Sequence, residues 1–187
     1  MRGEEHPRAL KQRTEAGEIV LLFADEAEAS TQPYLARVWA KRGADRRVQA
    51  PGKAVKRALF GARIHASGEL IVQTSPTKDS AALCRFPDQL KRQAQSKPLH
   101  LVRDNGPIHK SRSTQAALAQ AQGWLTVEWS PPYAPELNDI ERDWRHLKTH
   151  YLAHQTFTNI DSLERTLHRS IHDINRDRLS LAVGSLS

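Results

Sequence analysis

Three acidic residues in this sequence have the type and placement to do chemistry. Asp25 follows the apolar run Ile19–Phe23, Asp104 ends the run Leu99–Asp104, and Glu141 opens a segment of helical periodicity. A carboxylate at the carboxyl end of a strand lies where open α/β sheets bind ligands, because the loops there are free to carry chemistry. Three carboxylates brought together repel one another unless cations lie between them. Hard oxygen donors in this number suit Mg²⁺ or Mn²⁺. Two such ions about 3.5–4 Å apart can activate a nucleophile and stabilise the leaving oxygen of a phosphodiester. The expected catalytic and metal-holding residues are therefore Asp25, Asp104 and Glu141, with two Mg²⁺ (or Mn²⁺) ions between them.

The elements that must position these acids can be read in order. Met1–Glu18 is charged, helical in character from Arg8 to Ala16 and closed by Gly17, which reads as a linker or the remnant of an N-terminal helix over residues 1–17. Ile19–Phe23 is five apolar residues in a row, the pattern of a central strand covered on both faces. Tyr34–Lys41 alternates loosely and predicts a second strand. Ala58–Ile64 and Leu70–Gln73 flank Ser67-Gly68 as a hairpin. Thr77–Ser96 has near-helical apolar spacing with Pro87 inside it, where a kink or a restart is expected. Leu99–Asp104 is the next strand, Ser111–Gln122 a helix capped by Ser111 or Ser113 and ended by Gly123, and Trp124–Trp129 the last strand.

After the proline-rich loop Ser130–Pro135, Ile140, Trp144, Leu147 and Tyr151 share one helical face within Asn138–Tyr151. Glu141 lies about 100° round from Ile140, at the edge of that face, with Lys148 beside it. Ile160–Ile174 is amphipathic, and Thr158 and Asp161 are spaced as a capping box at its start. The order predicts an α/β domain over residues 18–178 with a tail at 179–187. Its mixed five-stranded sheet has order 3-2-1-4-5, the first three strands antiparallel and helices on both faces. Strands one and four are neighbours in that order, so Asp25 and Asp104 emerge at one edge and a packed helix can carry Glu141 over them.

The formal net charge of +7 and a pI near 9.9 favour an anionic partner, and nucleic acid is the commonest. A single cysteine, Cys84, excludes an intramolecular disulfide and a cysteine-rich zinc module, which suits a reducing cytoplasm. No apolar run reaches membrane-spanning length, and the polar start is no signal peptide. His146, His150 and His154 recur every four residues, which reads as a basic, solvated strip rather than a metal site, since no HExxH accompanies them.

The blocks FADEAE around Asp25, VRDNGPIHKS around Asp104 and SPPYAPELNDIERDWRHLK around Glu141 resemble the three acidic blocks of DDE-type transposases, in particular the mariner-like bacterial insertion-sequence group. The 36 residues between Asp104 and Glu141 are similar to that family's spacing. The resemblance covers about Glu18 to Asp177 and implies a ribonuclease H-like catalytic domain that cleaves DNA and transfers strands in transposition. It implies that Asp25, Asp104 and Glu141 are metal ligands, supported by Asn105, His109 and Asn138. It also implies double-stranded DNA (transposon ends and target) as partner and a homodimer on that DNA, in a bacterial cytoplasm and associated with the nucleoid.

With DNA as the partner, Arg42, Lys53, Lys56, Arg57, Lys110, Arg145 and Lys148 are the expected backbone contacts. One departure is Asp139, where the family usually has proline. Another is that no helix-turn-helix pattern precedes Gly17, so a separately encoded helix-turn-helix part is an expected partner. A ribonuclease H-like nuclease and a non-catalytic DNA-binding remnant are the alternative readings.

Overall fold

The computed structural model describes residues 7–37, 39, 41–43, 45, 47–49, 52–93, 97–104, 106, 111–129 and 139–184. Five strands, β1 (Val20–Ser30), β2 (Lys56–Ile64), β3 (Leu70–Ser75), β4 (Leu99–Arg103) and β5 (Leu125–Trp129), form one sheet of order β3-β2-β1-β4-β5. β1, β2 and β3 pair antiparallel, while β4 is parallel to both β1 and β5. This is the mixed sheet that the element order predicts.

Two strand expectations differ from the structure. The described residues of Tyr34–Lys41 form no strand and offer only an isolated bridge from Tyr34 to Ala153. The hairpin strand β2 takes the place beside β1 that this segment would need in order to follow it as a neighbour. Leu35 and Trp39 accordingly stand exposed. β1 also runs past Asp25 to Ser30, because its ladder with β2 continues through Ser30↔Lys56 after its ladder with β4 ends at Ala24↔Arg103. Asp25 therefore lies within β1, at the point where β4 stops.

Alternation along the strands assigns the two faces. Leu22 and Ala24 of β1 join Phe60, Ala62, Leu99 and Leu101 in a core. That core is covered by Ala82, Leu83, Phe86 and Leu90 of helix α2 (Ser80–Gln93) and by Ala121 of helix α3 (Arg112–Ala121). On the opposite face Leu59 and Leu70 pack under helix α4 (Ile140–His146), the π-helical turn Leu147–Tyr151 that continues it, and helix α5 (Ile160–Gly184). Helix α1 (Pro7–Glu15) sets Leu10 against Ile19, Leu21, Phe23 and Val102, and so is docked on the sheet rather than trailing from it.

Local signals were mostly decisive. Ser111 caps α3, its hydroxyl accepting from the Thr114 amide at 3.1 Å. α2 runs unbroken through Pro87 rather than restarting there, because Phe86 and Leu90 on either side are buried and their packing outweighs the missing backbone donor. At α5 the cap is Asn159, whose side chain accepts from the Ser162 amide at 2.9 Å, and not the Thr158/Asp161 pair. α5 then continues to Gly184, over residues expected as a tail. His154 leaves the face shared by His146 and His150, since the helix ends at Tyr151 and His154 adopts φ 59°.

α4 lies on the sheet at Gly61, which has no side chain to hold it off. A Cβ at Gly61 would come within 2.3 Å of Trp144 Cζ2 and 3.0 Å of Ile140 Cδ1. Both partners are buried, and the indole is rigid, so neither can step aside. Gly61→Ala is expected to lower stability by about 2–3 kcal/mol in urea unfolding, as overpacking does. Gly123→Ala, with nothing within 4 Å of its added Cβ, is expected to change it little; equal effects would mean that α4 is not seated as described.

Candidate active site

The strand register puts Asp25 and Asp104 side by side. β1 and β4 pair as far as Phe23↔Val102 and Ala24↔Arg103, and the next residue on each chain is an aspartate. Phe23 and Val102 share the α1-side core, so two residues on, Asp25 and Asp104 face the same side of the sheet, toward α4. Their sequence neighbours face the other side. There the buried Arg103 guanidinium hydrogen-bonds the buried Glu26 carboxylate, and Lys78 Nζ stands 3.8 Å from Glu26. Burial pulls the Arg103 pKa down, opposed by the charges of Glu26, Asp104 and Asp25. The sheet thus sorts four charged side chains into a neutralised pair on one face and two acids on the other.

The third acid arrives on α4. Asp25 pairs across β1–β2 with Gly61, and Gly61 is the seat of Trp144 and Ile140. Glu141, next to Ile140, is thereby held within electrostatic range of Asp25. Asp25 is half-buried, and its pKa is raised to about 6. Burial is the largest cause, and the charges of Glu26, Asp104 and Glu141 add to it against a backbone hydrogen bond from Glu26. Asp104 and Glu141 are exposed. Among the described residues no three carboxylates, imidazoles or thiolates close round a common point tightly enough to cage an ion. The three acids form an open, oxygen-only donor set with a charge excess at its inner member, which fits a hard divalent cation and not a soft one.

Asn105, His109, Lys110 and Asn138 lie outside the described residues. Of the basic residues, Arg42, Lys53 and Arg145 are exposed and Lys148 is half-buried. Lys56 pairs with Glu28 at 2.8 Å on the surface. Arg57 is committed to Glu164 at 2.5 Å, with side chains only 16% and 28% exposed, and so ties β2 to α5 instead of facing a partner. Sequence reasoning missed Asp143, a carboxylate only 4% exposed that Arg63 of β2 and Arg178 of α5 bind together. The signal was present: Asp143 falls three residues after Ile140, close to a stripe that is otherwise apolar, and an acid there needs a buried partner.

A five-stranded sheet of this order with an acidic site beside the end of β4 is a ribonuclease H-like fold, the fold of transposase and integrase catalytic domains. The chain belongs to the DDE superfamily endonucleases, whose family model matches residues 20–164. It is 31% identical over 133 residues to the insertion element IS630 uncharacterized 39 kDa protein of Shigella sonnei, a match covering 71% of this chain and 38% of that protein's length. Among solved structures, the Mos1 transposase paired-end complex with left transposon end superposes with a TM-score of 0.61 at 16% identity, over 95% of this chain and 62% of the other. The Mos1 mariner paired-end complex with Mn gives 0.60 at 18% identity, over 91% and 57%.

The state of Asp25 makes the metal-free protein pH-sensitive. A carboxyl whose folded pKa is near 6, against 3.8 when unperturbed, contributes stability below about pH 4 that is lost as pH rises through 6. Metal-free Asp25→Asn is therefore expected to exceed the parent at pH 7.5 by on the order of 2 kcal/mol, allowing for partial solvation, and to match it near pH 4. Chemical denaturation at both pH values in chelator checks this; a difference that does not vary with pH would contradict it.

Proposed function

We propose that this chain is the catalytic domain of a DNA transposase, cleaving transposon-end DNA and transferring the cut strand to a target. The observation that supports the reading is the placement of Asp25, Asp104 and Glu141 on one side of the sheet, where burial first and the neighbouring acids second make a charge on Asp25 costly. That cost is removed when cations bind, so the acids are built for occupancy. Membership of the DDE endonuclease family agrees with it, and so does the fold shared with a Mn-containing transposase complex.

In this reading Asp25, Asp104 and Glu141 hold two Mg²⁺ or Mn²⁺ ions. Bound there, the ions supply the positive charge that activates an attacking oxygen and stabilises the leaving one. Asp25, deepest in the site, would be held as the carboxylate by the ions, while exposed Asp104 and Glu141 remain reachable from solvent and substrate. Asn105, His109 and Asn138 support the three ligands. Arg42, Lys53, Arg145, Lys148 and Lys110 hold the DNA backbone, and Lys56 joins them by exchanging its surface partner Glu28 for a phosphate. The active form is a homodimer on DNA, working in a bacterial cytoplasm. No described helix is long and apolar enough to cross a membrane.

Asp104→Asn keeps shape and hydrogen bonding but removes a ligand charge. It is expected to fold, to lose nicking of end DNA by at least a hundredfold, and to lose most of the thermal stabilisation that Mn²⁺ confers on the parent. Asp139→Asn, in contrast, should leave nicking largely intact. An Asp104→Asn protein that cuts DNA at the parental rate would overturn the assignment.

Binding to DNA is expected to weaken log-linearly with salt, and Lys148→Ala to flatten that slope by about one. Fluorescence anisotropy against salt measures both, and a flat dependence in the parent would remove the electrostatic interface.

A further inference from the structure

Asp143 is buried on α4, two residues from Glu141. Arg63 Nη1 of β2 donates to both of its carboxylate oxygens at 3.0 Å, and Arg178 Nη2 of α5 donates to Oδ1. Arg178 also donates through Nη1 to the Gly68 carbonyl in the β2–β3 turn. One carboxylate thus joins the catalytic-side helix, the hairpin and the far end of α5. At about 100° per residue, Glu141 lies about 100° to one side of Ile140 and Asp143 about 60° to the other. Ile140 and Trp144, between them, pack on Gly61. The apolar contact fixes how close α4 comes to the sheet, but a helix resting on an apolar stripe can still roll. Two arginines on one flank remove that freedom: Arg63 Nη1 holds both carboxylate oxygens, and the guanidinium of Arg178 spans Asp143 and the Gly68 carbonyl, so the carboxylate is gripped from two elements at once.

We propose that Asp143, clamped by Arg63 and Arg178, is a positioning residue that sets the roll of α4 and thereby the place of Glu141 relative to Asp25, a role that rests on Glu141 being a metal ligand. Removal of such an outer partner typically costs ten- to a hundredfold in metal affinity. Mn²⁺ binding to the folded, metal-free full chain, read as free Mn²⁺ by electron paramagnetic resonance, tests this without any cleavage assay. Asp143→Asn is expected to raise the half-saturating Mn²⁺ concentration at least tenfold, and Arg178→Lys, which keeps the charge but loses the fork, about threefold. Leu90→Ala, a buried truncation on the opposite face of the sheet, lowers the melting temperature as well but is expected to leave that concentration within twofold of the parent.

Should Asp143→Asn fail to fold, Arg178→Lys against Leu90→Ala decides the matter alone. Parental Mn²⁺ binding in the clamp variants, beside weakened binding in Glu141→Gln, would overturn the positioning role and leave Asp143 purely structural. Parental binding in Glu141→Gln would overturn the site assignment itself, and the positioning role with it.

Discussion

The contact between Trp144 and the bare backbone of Gly61 is the constraint on which the site depends. β2 has one residue without a side chain, and the indole of α4 occupies the space above it. Because Gly61 is the ladder partner of Asp25, the same contact that buries Ile140 and Trp144 also fixes how far Glu141 stands from Asp25. Core packing and site assembly are here one event. The burial of two large apolar side chains, each worth roughly 2–3 kcal/mol, holds a carboxylate near other carboxylates that repel it.

The sheet's two-residue period does the electrostatic sorting. Adjacent residues on β1 and β4 send Glu26 and Arg103 to the α2 face and Asp25 and Asp104 to the α4 face. Glu26 and Arg103 are both nearly inaccessible to water, so each would be a severe liability without the other. Pairing them beneath the sheet commits the Arg103 guanidinium to Glu26 rather than to the acids above it. A one-residue slip of β4 would exchange the faces and destroy both arrangements.

Formal charge and available charge are different quantities in this chain. Arg57, Arg63, Arg103 and Arg178 all count toward the excess of +7, yet each is engaged by Glu164, Asp143 or Glu26 inside the fold. These arginines hold β2, β4, α4 and α5 in place. Other cations, Arg42, Lys53 and Arg145 among them, stand exposed. A basic composition therefore overstates how much positive charge the folded surface offers to an anionic partner.

By itself the sequence determined the elements, their order and the three acids. Apolar runs, turn residues and helical spacing are local properties that mark the elements, and with the resemblance of the three acidic blocks they lead to the sheet order β3-β2-β1-β4-β5. The same locality explains the failures. Tyr34–Lys41 has a strand's alternation, but β2 takes the place beside β1, and Pro87 does not restart the helix where Phe86 and Leu90 are buried around it. Thr158 and Asp161 have a capping box's spacing, yet Asn159 was better placed to accept from Ser162. Only the tertiary structure decided that β1 runs on past Asp25, that Gly61 is the seat of α4, and that Asp143 is clamped from residues 80 and 35 positions away. Each of these depends on which distant surface a residue meets, and a linear pattern carries no record of its partner across space.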